Sequence, residues 1–170
     1  MENLKDKIAD EYIKLIREKD FDKITINDII EKTNISRQTF YYYFKDKYDI
    51  IAYNLKKSVK ENLEYYLENR NLKEYFKNII YFTYKNRDLI KKIMTSKYSI
   101  YIENLLIEAK MEEMKYIFEM NDKEVDEEHL KFYSEIFACA YGNFSYRHCD
   151  KDCNDVEKMA DMLVDMFKKI

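Results

Sequence analysis

Residues 25–47 read TINDIIEKTNISRQTFYYYFKDK, and this stretch decides the fold. Thr25 is followed three residues later by Asp28, which is the spacing of a capping box and predicts a helix that ends near Thr33. Ser36 predicts the N-cap of a second short helix, which ends near residue 44. Because only three residues separate the two helices, we expect a tight helix-turn-helix corner.

The corner contains the residues that this motif needs on its inner side. Asn34 is the residue in the turn best suited to a left-handed backbone, and Ile35 is expected to fill the angle between the helices. Phe40 and Phe44 lie one turn apart, so they share the buried face of the second helix. The opposite face of that helix is therefore expected to lie in solvent.

The solvent face of the second helix has an unusual composition. A rotation of about 100° per residue places Gln38, Tyr42 and Lys45 outermost. Its flanks carry Arg37, Thr39 and Tyr41. These side chains offer donors, acceptors and apolar surface without a carboxylate, which suits a helix that enters the major groove of DNA. An exposed helix in an ordinary bundle is the alternative interpretation.

The composition of the whole chain restricts the fold class. The 170 residues include one Gly and no Pro, whereas sheet proteins use both at hairpins and bulges. We therefore predict an all-α fold, which the cap residues divide into about nine helices. A single glycine also excludes a P-loop, a dinucleotide-binding fingerprint and a nucleophile elbow. We expect no enzymatic activity, no catalytic residues and no cofactor.

The charge distribution is informative only locally. Residues 1–56 carry 11 basic and 11 acidic side chains, and the net charge of the chain is -3, which weighs against general nucleic-acid binding. Residues 32–47, however, contain four basic side chains and one acidic side chain. Positive charge is thus concentrated around the predicted corner.

The cysteines and the hydropathy pattern bear on location. The three cysteines are an odd number, which favours reduced thiols and a cytoplasmic protein. No stretch approaches the ~20 apolar residues of a membrane span, and the N-terminus lacks a signal-peptide pattern. His148, Cys149 and Cys153 suggest a soft-metal or redox site, but the sequence shows no clear fourth ligand, so we predict no metal site.

The segment resembles the N-terminal DNA-binding domain of the tetracycline-repressor (TetR) family of bacterial regulators. The resemblance covers about residues 5–52, including a Tyr, Phe and Lys spaced three residues apart before a long helix. The turn departs from the family pattern, because Thr33 and Asn34 stand where a small residue and Gly are usual. The matching residues are Thr25, Asp28, Ile29, Ile35, Ser36, Tyr41, Phe44, Lys47, Ile50 and Ile51.

The resemblance implies roles for individual side chains. Gln38 and Tyr42 would read bases, with Arg37 as a further candidate, while Tyr41 and Lys47 would hold phosphates. Thr25 would anchor the backbone near the start of its helix. The positive end of the long helix that starts at Lys47 independently favours an anion. The complete candidate DNA-binding set is Thr25, Ser36, Arg37, Gln38, Thr39, Tyr41, Tyr42, Lys45 and Lys47.

The remaining chain would complete a dimeric regulator. We predict a DNA-binding domain at residues 1–48 and a helical dimerisation domain at residues 49–170. The resemblance implies that residues 57–120 surround a pocket for a small-molecule effector, and plain hydrophobic core is the alternative interpretation of that region. We expect two such chains to bind a double-stranded operator and repress transcription. An activator acting with a partner protein, or a helical adaptor that binds protein rather than DNA, is the alternative.

The dimer contact is predicted at the two C-terminal helices. Each carries an apolar stripe wide enough to form a four-helix bundle with a second protomer. Packing of these stripes on the chain's own middle helices is the alternative. The stripes comprise Leu130, Tyr133, Phe137, Ala140 and Phe144, and Val156, Ala160, Leu163, Phe167 and Ile170, with Met159 and Met166 beside the second.

Overall fold

The computed structural model describes residues 3–136 and 156–169, and the regular structure in these ranges is helical. A 3-10 turn, Phe21–Lys23, separates the first two helices. The predicted all-α class is confirmed. The helices are α1 (Leu4–Glu18), α2 (Ile26–Thr33), α3 (Arg37–Tyr43), α4 (Lys47–Asn69), α5 (Leu72–Lys85), α6 (Arg87–Met94), α7 (Ser99–Met120), α8 (127–136 within the described residues) and α9 (Val156–Lys169).

The helix-turn-helix forms as its caps predict. The Thr25 hydroxyl accepts a hydrogen bond from the Asp28 amide at 3.2 Å, and the Asp28 carboxylate accepts one from the Thr25 amide at 2.8 Å, which completes the capping box. Asn34 ends α2 with φ 54° and ψ 49°, the left-handed conformation expected in the turn. The Ser36 hydroxyl accepts from the Thr39 amide at 3.0 Å and caps α3.

The starts of α4 and α5 also follow polar caps rather than glycine or proline. Asp46 accepts from the amides of Tyr48 and Asp49 at the start of α4. Arg70 ends α4 in the left-handed region with φ 49°, and the Asn71 side chain then caps α5. At these boundaries, polar side chains end and start helices where most sequences use glycine or proline.

The buried residues form two clusters, which α4 connects. The first joins α1, α2, α3 and the start of α4, with Phe40 and Phe44 buried as predicted. The second joins α5, α7, α8 and α9 around Phe76 and Phe118. The predicted domain division at residues 48 and 49 falls within the first turn of α4 and stays a prediction.

Helix α6 fixes the end of α1, and thereby the helix-turn-helix, onto the rest of the chain. Lys92 donates hydrogen bonds to the backbone carbonyls of Ile16 and Arg17 at 3.0 and 2.6 Å. These carbonyls lie in the last turn of α1, where partners are missing and a cation is favoured. The Arg17 guanidinium in turn donates to the Asn86 side-chain oxygen at 2.6 Å.

The C-terminal helices require a revision of the predicted dimer stripes. Leu130, Val156, Ala160 and Phe167 are buried within their own chain. The ring of Phe167 stacks on that of Phe118 in α7, with centroids 4.9 Å apart. These four residues pack as the alternative interpretation states, because the neighbouring helices already cover them. The predicted stripe residues Phe137, Ala140, Phe144 and Ile170 lie outside the described residues, as do His148, Cys149 and Cys153.

None of the helices in the described ranges combines the length and the apolar composition needed to cross a bilayer.

Candidate DNA-binding surface

Gln38 and Tyr42 form the outer side of α3, and we call this pair the reading face. Both side chains are exposed, and that of Tyr42 is 80% exposed. The Tyr42 ring packs at right angles against Tyr43, with centroids 4.9 Å apart, which restricts its orientation. On the opposite side of α3, Phe40 is fully buried. The structure thus brings the two predicted base-reading residues together one turn apart.

Arg37 lies beside the reading face and is turned toward α2. Its Nη1 donates to the Oδ1 of Asn27 at 3.0 Å, and its Nη2 lies 3.5 Å from the Tyr41 hydroxyl. The guanidinium carbon lies 5.7 Å from the centre of the Tyr41 ring, within the range of a cation–π contact. The sequence analysis did not predict that Asn27 belongs to this surface. Its exposed position in the first turn of α2, opposite the start of α3, is the signal that could have revealed it.

The three hydroxyl residues of the candidate set lie at helix starts. Thr25 both accepts from and donates to Asp28, and its hydroxyl donates to the Asp28 Oδ2 at 2.6 Å. The hydroxyls of Ser36 and Thr39 lie 2.7 Å apart at the start of α3. These hydroxyls therefore take part in the caps of α2 and α3, and contact with DNA stays a prediction for all three residues.

Lys47 differs from the prediction, because its ammonium does not reach the surface of the corner. The residue is 9% exposed. Its Nζ donates to the carbonyls of Phe21 and Ile24 at 2.9 and 2.8 Å, and it lies 5.1 Å from the centre of the Phe21 ring. Burial lowers the pKa of Lys47, an effect that the nearby carboxylate of Asp22 partly offsets. The ammonium therefore ties the turn before α2 to the start of α4.

Lys45 also lies elsewhere than a continuous helix would place it. Helix α3 ends at Tyr43, and Phe44 is extended with φ -141° and ψ 137°. Lys45 therefore leaves the face of Gln38 and Tyr42, although its side chain stays exposed. Its backbone amide donates to the Asp49 carboxylate at 3.0 Å. The sequence-based rotation failed here because it continued the helix to Lys45, two residues beyond its end at Tyr43.

Asp28 links the capping box to α1 and makes this corner sensitive to acid. The Lys19 ammonium, 2.6 Å from the Asp28 carboxylate, and the hydroxyl and amide of Thr25 hold the pKa of Asp28 well below its usual range. A carboxyl group with a lowered folded-state pKa stabilises the fold at pH values above its unfolded-state pKa, which is near 3.9. That contribution is lost as the pH falls toward the lower folded-state pKa.

We expect Asp28→Asn to weaken the acid dependence of stability. The asparagine cannot titrate, and it replaces a charged partner of Lys19, so the variant loses about 1 kcal/mol at neutral pH and less at acidic pH. Urea unfolding at several pH values measures this. Asp10→Asn, at an exposed acidic residue of α1, is the control. Parallel curves for wild type and Asp28→Asn would contradict the role of Asp28.

Comparison with known proteins agrees with this geometry. The family model described as "Bacterial regulatory proteins, tetR family" matches residues 8–53. Residues 8–53 match the TetR family. The match covers α1 to α3 and the first part of α4, which is the segment that surrounds the reading face.

A curated protein similar to part of this chain is the "Biofilm operon icaADBC HTH-type negative transcriptional regulator IcaR" of Staphylococcus epidermidis. The two sequences are 35% identical over 65 residues, which is 38% of this chain and 33% of that protein. The match therefore spans about a third of the relative's length.

Solved structures of similar fold extend over nearly the whole chain. The "Dihydroxyacetone kinase operon activator DhaS" has a TM-score of 0.64 at 18% identity, covering 98% of this chain and 94% of its own. A Syntrophomonas wolfei protein assigned to the TetR-family transcriptional regulators has a TM-score of 0.62 at 22% identity, covering 97% and 93%. Lin0861 from Listeria innocua has a TM-score of 0.66 at 20% identity, covering 96% and 90%. These structures show that the TetR-like fold includes the C-terminal helices.

Proposed function

We propose that the chain is a sequence-specific DNA-binding regulator of transcription that acts as a homodimer. The main support for this proposal is the reading face, which is exposed, lacks carboxylates and packs on a buried helix-turn-helix core. Such a face can lie in the major groove, because phosphates repel acidic side chains while amides and aromatic rings contact base edges. The family match of residues 8–53 supports the same function. Binding to bacterial DNA would place the protein in the cytoplasm.

The outer sides of the C-terminal helices support a contact with a second copy. Phe132 and Ile136 of α8 lie one turn apart and are exposed, as do Met162 and Met166 of α9. Phe132 is 56% exposed and Met162 is 64% exposed. Exposed apolar pairs at this spacing, on helices whose other sides are already buried, fit a second copy of the same two helices. These residues replace the buried stripe as the proposed dimer contact.

We expect the double variant Phe132→Lys/Met162→Lys to be monomeric. Two lysines on each protomer would place four like charges in the proposed contact, and charges without partners are excluded from such interfaces. Sedimentation equilibrium measures the mass, and circular dichroism checks that the fold persists. Tyr81→Lys, at an exposed aromatic residue of α5, is the matched control and should stay dimeric. A dimeric Phe132→Lys/Met162→Lys variant would contradict the proposed contact.

Repression is the regulatory outcome that we propose. A dimer that occupies an operator blocks polymerase without another partner, and the curated relative is described as a negative transcriptional regulator. Release by a small molecule stays a prediction of the family resemblance. In the described residues, the aromatic side chains of Tyr66, Tyr75 and Phe118 pack in the core, as the alternative interpretation of that region states.

The proposed function is tested by selection of duplexes from a pool with a fully randomised centre, using the full-length chain. We expect a palindromic consensus, since one helix-turn-helix contacts one half-site and the two reading helices of a dimer lie about 34 Å apart. Affinity for the selected duplex should also fall steeply as salt increases. Failure to enrich any sequence would contradict sequence-specific binding and favour the adaptor alternative.

A further inference from the structure

The structure leaves few side chains on α3 that could recognise a guanine. Arginine is the side chain that most often reads guanine, through paired hydrogen bonds to its O6 and N7 atoms. The one arginine of α3, Arg37, is turned back toward α2, where Asn27 accepts its hydrogen bond at 3.0 Å and Tyr41 lies beneath it. Of the two lysines that follow, Lys47 is buried and Lys45 lies beyond the end of the helix.

The two side chains of the reading face are both suited to contact A·T base pairs. The Gln38 side chain has an amide, which pairs with the N6 and N7 atoms of adenine. The Tyr42 ring is largely exposed and held by Tyr43, so it presents a rigid apolar surface suited to the methyl group of thymine. One helical turn, about 6 Å, separates the two residues, which is close to two base-pair steps of B-form DNA.

We propose that the reading face selects A·T base pairs, with Gln38 contacting adenine and Tyr42 contacting the methyl group of thymine, while Asn27 keeps Arg37 from reading guanine. This inference rests on the proposed DNA-binding function. Arg37 then contributes to affinity through the phosphates rather than to base choice. The half-sites bound by this chain are accordingly rich in A·T pairs where α3 enters the groove.

The thymine contact is tested by removing only the methyl group. In the duplex selected from the random pool, each thymine of the half-sites is replaced by deoxyuridine, and binding of the full-length chain is measured. Loss of one buried methyl contact in each half-site, about 0.8 kcal/mol apiece, should weaken binding of the dimer about 15-fold. Tyr42→Ala should be insensitive to the replacement, whereas Tyr42→Phe, which keeps the ring, should retain the sensitivity. Tyr81→Ala is the control and should behave as the wild type.

The adenine contact is tested in the same way with 7-deazaadenine, which lacks the N7 acceptor. Wild-type affinity should fall about fivefold or more, and Gln38→Ala should show no further loss. Asn27→Ala is the test of the Arg37 restraint, because a released guanidinium should admit guanine to the selected consensus. An unchanged consensus for Asn27→Ala would overturn that part of the proposal.

The outcomes distinguish this inference from the proposed function. A palindromic consensus with G·C pairs beneath α3, or full affinity for the deoxyuridine duplex, would overturn A·T selection and leave sequence-specific DNA binding intact. A pool without any consensus would overturn both. A consensus of A·T pairs with the expected loss on deoxyuridine supports both.

Discussion

We expect Lys110→Met to lower the free energy of unfolding by about 3–5 kcal/mol. Lys110 and Glu113 of α7 form an ion pair inside the second buried cluster, and Glu113 is 0% exposed. Loss of the ammonium would leave a carboxylate in the interior without its charged partner. Burial, together with the Glu113 carboxylate, raises the pKa of the neighbouring Tyr75 phenol well above its usual value.

The double variant Lys110→Met/Glu113→Leu distinguishes the cost of an unpaired buried charge from the cost of lost packing. Replacement of both partners by apolar groups of similar size should recover most of the lost stability, since the uncompensated charge is gone. The Glu113 Oε1 accepts no hydrogen bond from the described residues. Urea unfolding measures all three proteins. Lys115→Met, at an exposed lysine of the same helix, should change stability by less than about 0.5 kcal/mol. A double variant as unstable as Lys110→Met would contradict a charge-based cost.

Lys47→Met should have the second largest effect, and it should act on folding rather than on phosphate contacts. Its loss leaves the carbonyls of Phe21 and Ile24 without their hydrogen-bond donor, at a cost of about 2–4 kcal/mol in total. We expect hydrogen exchange to become faster in the turn between α1 and α2. The salt dependence of DNA binding should keep its slope, because no phosphate contact is removed.

Lys45→Met provides the matched comparison two residues earlier. Lys45 is exposed, so the variant should keep its stability within about 0.5 kcal/mol. If Lys45 contacts a phosphate, affinity should fall for all duplexes and the salt slope should decrease by about one. A stable Lys47→Met protein with a reduced salt slope would restore the role that the family resemblance implied for Lys47.

Much of the fold could be predicted because polar caps mark its boundaries. Without proline, and with a single glycine at residue 142, helix ends depend on side chains such as Thr25, Ser36 and Asp46, whose effects are local and visible in sequence. The left-handed turn at Asn34 was predictable for the same reason. The buried face of α3 followed from the spacing of Phe40 and Phe44 alone.

The parts that could not be predicted depend on contacts between distant segments. Lys47 looks like a surface cation at a helix start, and only its approach to residues 21–24 explains its burial. Arg37 is equally placed by Asn27, 10 residues away on another helix. On α9 both sides are apolar, so periodicity could not show which side packs on α5 and which remains exposed at Met162.

The central claim is that Gln38 and Tyr42 read base pairs, and it is tested most directly by the ratio of affinities for the selected duplex and a scrambled duplex of equal composition. We predict that the variant Gln38→Ala/Tyr42→Ala loses this preference and binds both duplexes as wild type binds the scrambled one, with an unchanged salt slope. A variant that still prefers the selected duplex as strongly as wild type would contradict the account.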